Sequence, residues 1–118
     1  ITSLIDETLP LATICQQFID KKISLEIAES YARVTAQRIR QMHDLDIWHA
    51  DLNAFNILCS KAPIDAYLID FDKAQKTKLS NRLRQQNLER LERSLTKLCG
   101  QRSIVFMGQI LQHYYLFE

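Results

Sequence analysis

The sequence predicts a mainly α-helical domain with a small β-hairpin. Three observations lead there. Apolar residues recur at helical spacing through most of the chain, two short runs of strand formers flank one turn, and neither repeats nor low-complexity linkers interrupt them. The 118 residues suit a single domain, and a hydrophobic content of 47% can supply its core.

Taken in order, the first helix is expected over Thr8 to Asp20. Thr8 would cap it, Pro10 would sit in its first turn, and Leu11, Ile14, Cys15 and Phe18 share one face. Lys21-Lys22 breaks the pattern. Ser24 then caps a long helix to about Asp44, striped by Ile27, Tyr31, Val34, Arg38 and Met42, with Ala28, Thr35 and Ile39 alongside. This helix is the expected pillar for the loop that follows it. His43, on the apolar side near its end, reads as a core histidine. Ile57 to Cys59 and Tyr67 to Ile69 form the hairpin around Ser60-Lys61-Ala62-Pro63. Helices follow from about Leu83 to Leu98, with Leu88, Leu91, Leu95 and Leu98 on one face, and from Ile104 to Phe117. Gly100 stops the first and Ser103 caps the second. Tyr114, Tyr115 and Phe117 read as a core-facing helix end, with membrane or partner contact as the alternative.

The functional signal lies between pillar and hairpin. Residues His49-Ala50-Asp51-Leu52-Asn53-Ala54-Phe55-Asn56 have the form His-x-Asp-x-x-x-x-Asn, and the hairpin ends in Asp70-Phe71-Asp72. Kinase-like folds place a catalytic loop of that form before a strand ending in Asp-Phe-Gly. The linked motifs extend the expected fold class to the C-terminal lobe of a protein-kinase-like α+β fold.

Phosphoryl transfer needs positioning and charge neutralisation more than covalent work by the protein. Asp51 stands where a base would orient the acceptor hydroxyl and take its proton. Asp70 stands where a carboxylate would grip magnesium among the phosphates, and Asn56 could add a neutral oxygen to a second metal contact. His49 is expected beneath the loop in a structural role, hydrogen-bonded to backbone. The competing reading makes Asp51, Asn53 and Asn56 plain turn residues between a helix and a strand. A zinc site built on His43, His49 and Asp51 has no cysteine pair or His-Glu-x-x-His helix to complete it.

Lys73, Lys76, Lys78, Arg82 and Arg84 form a run without an acidic residue just after the aspartate motif. It could meet an anionic acceptor or membrane surface; an ordinary solvated charge run is the equal alternative. A net charge of +1 argues against a dedicated nucleic-acid binder. No segment approaches the roughly 20 apolar residues of a membrane span. Cys15, Cys59 and Cys99 lack metal or redox spacing and read as reduced thiols of a cytoplasmic protein.

The strings HADLNAFNIL, LIDFDKAQ and LRQQNLERLERSLTK together resemble the bacterial 3-deoxy-D-manno-octulosonic acid (Kdo) kinases, lipopolysaccharide-core enzymes with a kinase-like fold. The likeness runs from about Tyr31 to Lys97. Asn53, where protein kinases usually carry lysine, and Asp72, where they carry glycine, favour it, as does the Gln-Gln-Asn-Leu-x-Arg-Leu helix. Phe55 departs from the histidine expected there. The resemblance implies transfer of the γ-phosphate of ATP to a hydroxyl of Kdo on a lipid A precursor. It makes Asp51 the catalytic base and Asn56 and Asp70 the magnesium and nucleotide contacts, with His49, Asn53 and Asp72 in support. It also implies a peripheral place on the cytoplasmic face of the inner membrane.

Two other readings stand beside it. One is another atypical small-molecule or protein kinase of the aminoglycoside phosphotransferase or Rio-like kind. The other is a non-catalytic pseudokinase interaction module, against which the intact Asp51, Asn56 and Asp70 speak. Both glycines, Gly100 and Gly108, follow the motifs, so no phosphate-covering glycine loop can be drawn before Asp51. Residues 1–118 are therefore expected to be one kinase-like lobe without its N-terminal nucleotide-binding lobe, and inactive alone.

Overall fold

A computed structural model describes residues 8–116. The chain runs β1 (Thr8–Pro10), α1 (Leu11–Ile19), α2 (Leu25–Asp44), β2 (Ile47–Trp48), β3 (Ile57–Lys61), β4 (Ile64–Leu68), a 3₁₀ turn (Phe71–Lys73), β5 (Gln75–Lys76), α3 (Asn81–Cys99) and α4 (Ser103–Leu116).

The first helix starts later than its sequence pattern suggests. Thr8–Pro10 is an edge strand, antiparallel to β3 with Thr8 opposite Ser60 and Pro10 opposite Leu58. Pro10 is extended (φ −60°, ψ 151°) and immediately precedes α1. A proline lacking an N–H is tolerated on a sheet edge, so the strand wins these residues. The expected Thr8 cap thus gives way to a strand.

Ser24 caps α2, its hydroxyl accepting from the Ile27 N–H at 3.1 Å. The buried face of α2 is centred on Ala28, Tyr31, Thr35, Ile39 and Met42. Ile27 falls at its margin, 41% exposed. Arg38 is no flaw in the stripe: its guanidinium forks onto Asp65 (2.7 and 3.2 Å) and bonds the Ala66 carbonyl, fixing the hairpin to the pillar. Burial opposes ionisation of Asp65, but the Arg38 bonds and the Ala66 N–H hold its carboxyl below the usual range.

The hairpin is longer than expected. Ile57 pairs with Leu68 and Lys61 with Ile64, leaving only Ala62-Pro63 as the turn. A second small sheet, β2 with β5, was not visible in the sequence pattern. Asp46 supports it, its carbonyl accepting from the Thr77 N–H (2.9 Å) and its carboxylate from the Leu79 N–H (3.2 Å).

Helix α3 begins at Asn81 behind the Ser80 cap, whose hydroxyl accepts from Leu83 N–H at 3.2 Å. Leu88, Leu91 and Leu95 are buried, whereas Leu98 is 40% exposed. Gly100 closes the helix at φ 81°, a conformation that favours glycine. Ser103 does not cap α4: it is the first helical residue, and its buried hydroxyl has no partner among the described residues. Backbone bonds from Ser103 to Gly100 and from Ile104 to Gln101 make the turn instead.

Helix α2 lies between α4 and the hairpin, and Phe106, Ile110 and Tyr114 complete the core. Tyr114 is buried and Tyr115 is 58% exposed; Phe117 lies outside the described residues. Burial pushes the Cys15 and Cys59 thiols up to about 12, so neither carries a reactive thiolate.

Candidate active site

The loop from His49 to Asn56 crosses from β2 to β3 over the end of α3. Its shape follows from its own short polar side chains. Asn53 Oδ1 accepts from the Phe55 and Asn56 N–H groups (2.8 and 3.1 Å), while Asn53 Nδ2 donates to Asp51 Oδ1 (3.1 Å). Asn56 Nδ2 donates to the Asp51 carbonyl at 2.8 Å, which orients the amide and leaves Oδ1 for another partner. Ser94 of α3 accepts from the Ala54 N–H at 2.9 Å, and buried Leu52 and Ala54 anchor the loop from below. Turn chemistry therefore shapes this segment, and it holds Asp51 half-exposed above a buried base.

His49 is buried and joins the two motifs. Its Nδ1 accepts from the Asp51 N–H (3.0 Å) and its Nε2 donates to the Ile69 carbonyl (2.8 Å). Those partners define the neutral Nε2–H tautomer. Its ring centroid lies 5.1 Å from that of Phe71. A backbone bond from Ile69 N–H to the Asn56 carbonyl (2.9 Å) ties the same segments together. Asn56 and Asp70 are thus brought to one end of the hairpin beside Asp51.

Asp70 adopts the left-handed conformation (φ 65°, ψ 56°). Its exposed carboxylate makes no hydrogen bond or ion pair among the described residues. A left-handed aspartate with an unengaged charge marks a candidate functional position. Asp72 is exposed in the 3₁₀ turn.

A buried polar chain supports the loop from behind. The Asn87 side chain of α3 accepts from the His49 N–H (3.2 Å) and donates to the His49 carbonyl (2.7 Å). Its Oδ1 also accepts from His43 Nε2–H (3.0 Å), and His43 Nδ1 accepts from the Tyr114 hydroxyl (2.7 Å). Burial lowers the His43 pKa, opposed in part by the Asn87 bond. His43 is a core histidine with both nitrogens matched. The sequence picks out Asn87 only as a member of the Gln-Gln-Asn-Leu-x-Arg-Leu helix and not as a support of the loop, because its partners come from other elements.

The basic run divides. Lys76, Lys78 and Arg82 are exposed, and the Lys73 side chain lies outside the described residues. Arg84 turns inward, donating to Asp44 (3.0 Å) and to the His43 carbonyl (3.3 Å), so it holds α3 against α2. Cations that share a cleft with Asp51 lie on α3: Arg90, Arg93 and Lys97. Their signal was helical spacing rather than adjacency.

Fold and site together define the C-terminal lobe of a kinase-like fold. The chain belongs to the lipopolysaccharide kinase (Kdo/WaaP) family, whose sequence pattern matches residues 1–109. It is 46% identical over 79 residues to a 3-deoxy-D-manno-octulosonic acid kinase of Haemophilus influenzae, covering 65% of this chain and 32% of that protein. A Photobacterium profundum protein of the same name is 46% identical over 68 residues, covering 58% and 28%. One from Xanthomonas euvesicatoria is 48% identical over 69 residues, covering 58% and 27%. The chain spans about a third or less of the length of these relatives. Among solved structures, WaaP in complex with acyl carrier protein superposes with a TM-score of 0.73 at 18% identity, over 92% of this chain and 47% of that one. That likeness speaks to the fold.

Proposed function

We propose that this chain is the catalytic lobe of an ATP-dependent Kdo kinase, passing the γ-phosphate to a hydroxyl of Kdo on a lipid A precursor. The carrying observation is the convergence of Asp51, Asn56 and Asp70 on one rim, fastened by His49. The names of the relatives supply the acceptor class.

Asp51 acts as the base: its half-exposed carboxylate orients the acceptor hydroxyl and takes its proton as the new bond forms. Asn53 fixes the carboxylate rotamer through Oδ1. The unengaged Asp70 carboxylate and the free Asn56 oxygen fit magnesium, which takes one or two protein oxygens and fills its shell with phosphate and water. Bound there, magnesium would neutralise charge on the transferring phosphoryl group. Asp70 is exposed, which leaves its carboxylate open to such a cation. In kinases the phosphates are covered by a glycine-rich loop of the nucleotide-binding lobe, and on this reading the rim works opposite such a lobe. No described helix is long and apolar enough to cross a membrane. Peripheral attachment on the cytoplasmic side, through exposed Lys76, Lys78 and Arg82, is part of the proposal.

The test is transfer of labelled γ-phosphate from Mg-ATP by a kinase of full relative length that carries this chain. Label on a Kdo-bearing lipid A precursor, absent without Kdo and lost in Asp51→Asn, is the expected outcome. Nucleotide binding without transfer to any acceptor would favour the pseudokinase module.

A further inference from the structure

A cleft of about 430 Å³ opens between the loop and α3, lined by Asp51, Phe55, Arg90, Arg93, Ser94 and Lys97 among others. We propose that it is the acceptor site, in which Arg90, Arg93 and Lys97 hold the carboxylate of a sugar acid while Asp51 faces one of its hydroxyls. The proposal rests on the kinase reading above and adds the residues that select the acceptor.

Residues three, four and seven apart share a helix face, and Arg90, Arg93, Ser94 and Lys97 have that spacing. The opposite face of α3 carries buried Leu88, Leu91 and Leu95. Acidic Glu89 and Glu92 line a different groove, towards α4. Charge on the second half of this helix is therefore sorted, with Arg90, Arg93 and Lys97 gathered on the side of the catalytic loop. Arg90 approaches Asp51 at the limit of ion pairing (4.0 Å), and Arg93 and Lys97 have no carboxylate partner among the described residues. An ordinary solvated face would interleave its signs and satisfy them locally.

Volume and spacing indicate the ligand. Pockets of roughly 300–1,000 Å³ hold small molecules, so the cleft suits a monosaccharide. Guanidinium groups match carboxylates with paired bonds. Because Arg90 lies so close to Asp51, the anion and the attacking hydroxyl belong to the same sugar residue, as in a sugar acid, rather than to a distant lipid phosphate. Phe55 is 53% exposed on the cleft wall and offers its ring to the apolar face of the sugar.

The experiment is titration of the 118-residue chain with free Kdo, followed by amide shifts in NMR spectra. Kdo methyl ester, inorganic phosphate and an Arg93→Glu/Lys97→Glu double variant serve as comparisons. Saturable shifts at Asn53, Phe55 and Ser94, at least tenfold weaker with the ester and with the folded double variant, are the expected result. Equal binding of the ester, an unchanged affinity in the variant, or phosphate binding as tightly as Kdo would overturn the proposal. A second readout is the KM for the Kdo lipid in the kinase of full relative length, expected to rise at least tenfold in Arg93→Ala with no change in the KM for ATP. Normal transfer with an unmoved acceptor KM would remove the cleft and leave the kinase standing. Kdo binding in the cleft without transfer by the unsubstituted enzyme would do the reverse.

Discussion

Replacing Asn87 with alanine removes one donor and one shared acceptor from the buried side of α3. Three groups lose their partners: the His49 N–H, the His49 carbonyl and the His43 Nε2–H. Each buried polar group left unsatisfied costs about 1–3 kcal/mol. The simple sum reaches about 9 kcal/mol, but water entering the vacated space recovers part of it. A loss of about 3–5 kcal/mol is expected, against a typical domain stability of about 5–15 kcal/mol. Urea unfolding followed by far-ultraviolet circular dichroism measures it, with hydrogen exchange at the His49 amide as the local probe. Asn87→Asp keeps the acceptor but buries a charge, so it should not rescue. A loss under about 1 kcal/mol, with the His49 amide still protected, would refute the claim that Asn87 holds the loop.

The same network predicts a pH dependence. Burial, with the positive charges of Arg84 and Arg40, keeps His43 below its ordinary value of 6.5 despite the Asn87 bond and the Asp44 carboxylate. The unfolded chain takes a proton near 6.5 and the folded chain only lower, so this stability is present above that pH and falls away as the pH drops through the folded value. Thermal melts should decline from about pH 7 to pH 5, and His43→Gln should flatten that slope; the lowered carboxyls of Asp44 and Asp65 act only below about pH 5. In the kinase of full relative length, Asp51→Asn should lower kcat by about 10²–10⁴ with nucleotide affinity retained, as read by steady-state kinetics. Leu91→Ala, at a fully buried site, should cost about 2–5 kcal/mol in denaturant unfolding. Arg38→Ala should cost only about 1 kcal/mol, since its side chain is 39% exposed and solvent screens the pair with Asp65.

Elements written in their own residues were legible. Ser24 with the apolar period behind it fixed α2, and the leucine ladder of α3 pointed to its buried face. The loop was legible because Asp51, Asn53 and Asn56 are both its turn chemistry and its functional groups. What escaped depends on distant partners. Thr8–Pro10 is a strand only because β3 offers it an edge. Ile47–Trp48 and Gln75–Lys76 are too short to show a period and exist by pairing with each other. Asn87 reads as one polar residue in a helix until His43 and His49 come to it. The cations that share the Asp51 cleft were not singled out, for a related reason. Clustering along the chain drew attention to Lys73 through Arg84, whereas the helix gathers Arg90, Arg93 and Lys97 from successive turns.

Position 70 passes through two sieves at once. Its backbone lies in a region open at little cost to glycine, asparagine and aspartate. The proposed chemistry requires an anionic oxygen within a short reach. Glycine and asparagine satisfy the first demand and fail the second; glutamate fails the first. The overlap holds a single amino acid. A saturation library at this codon should therefore give a stability profile with three tolerated letters and an activity profile with one.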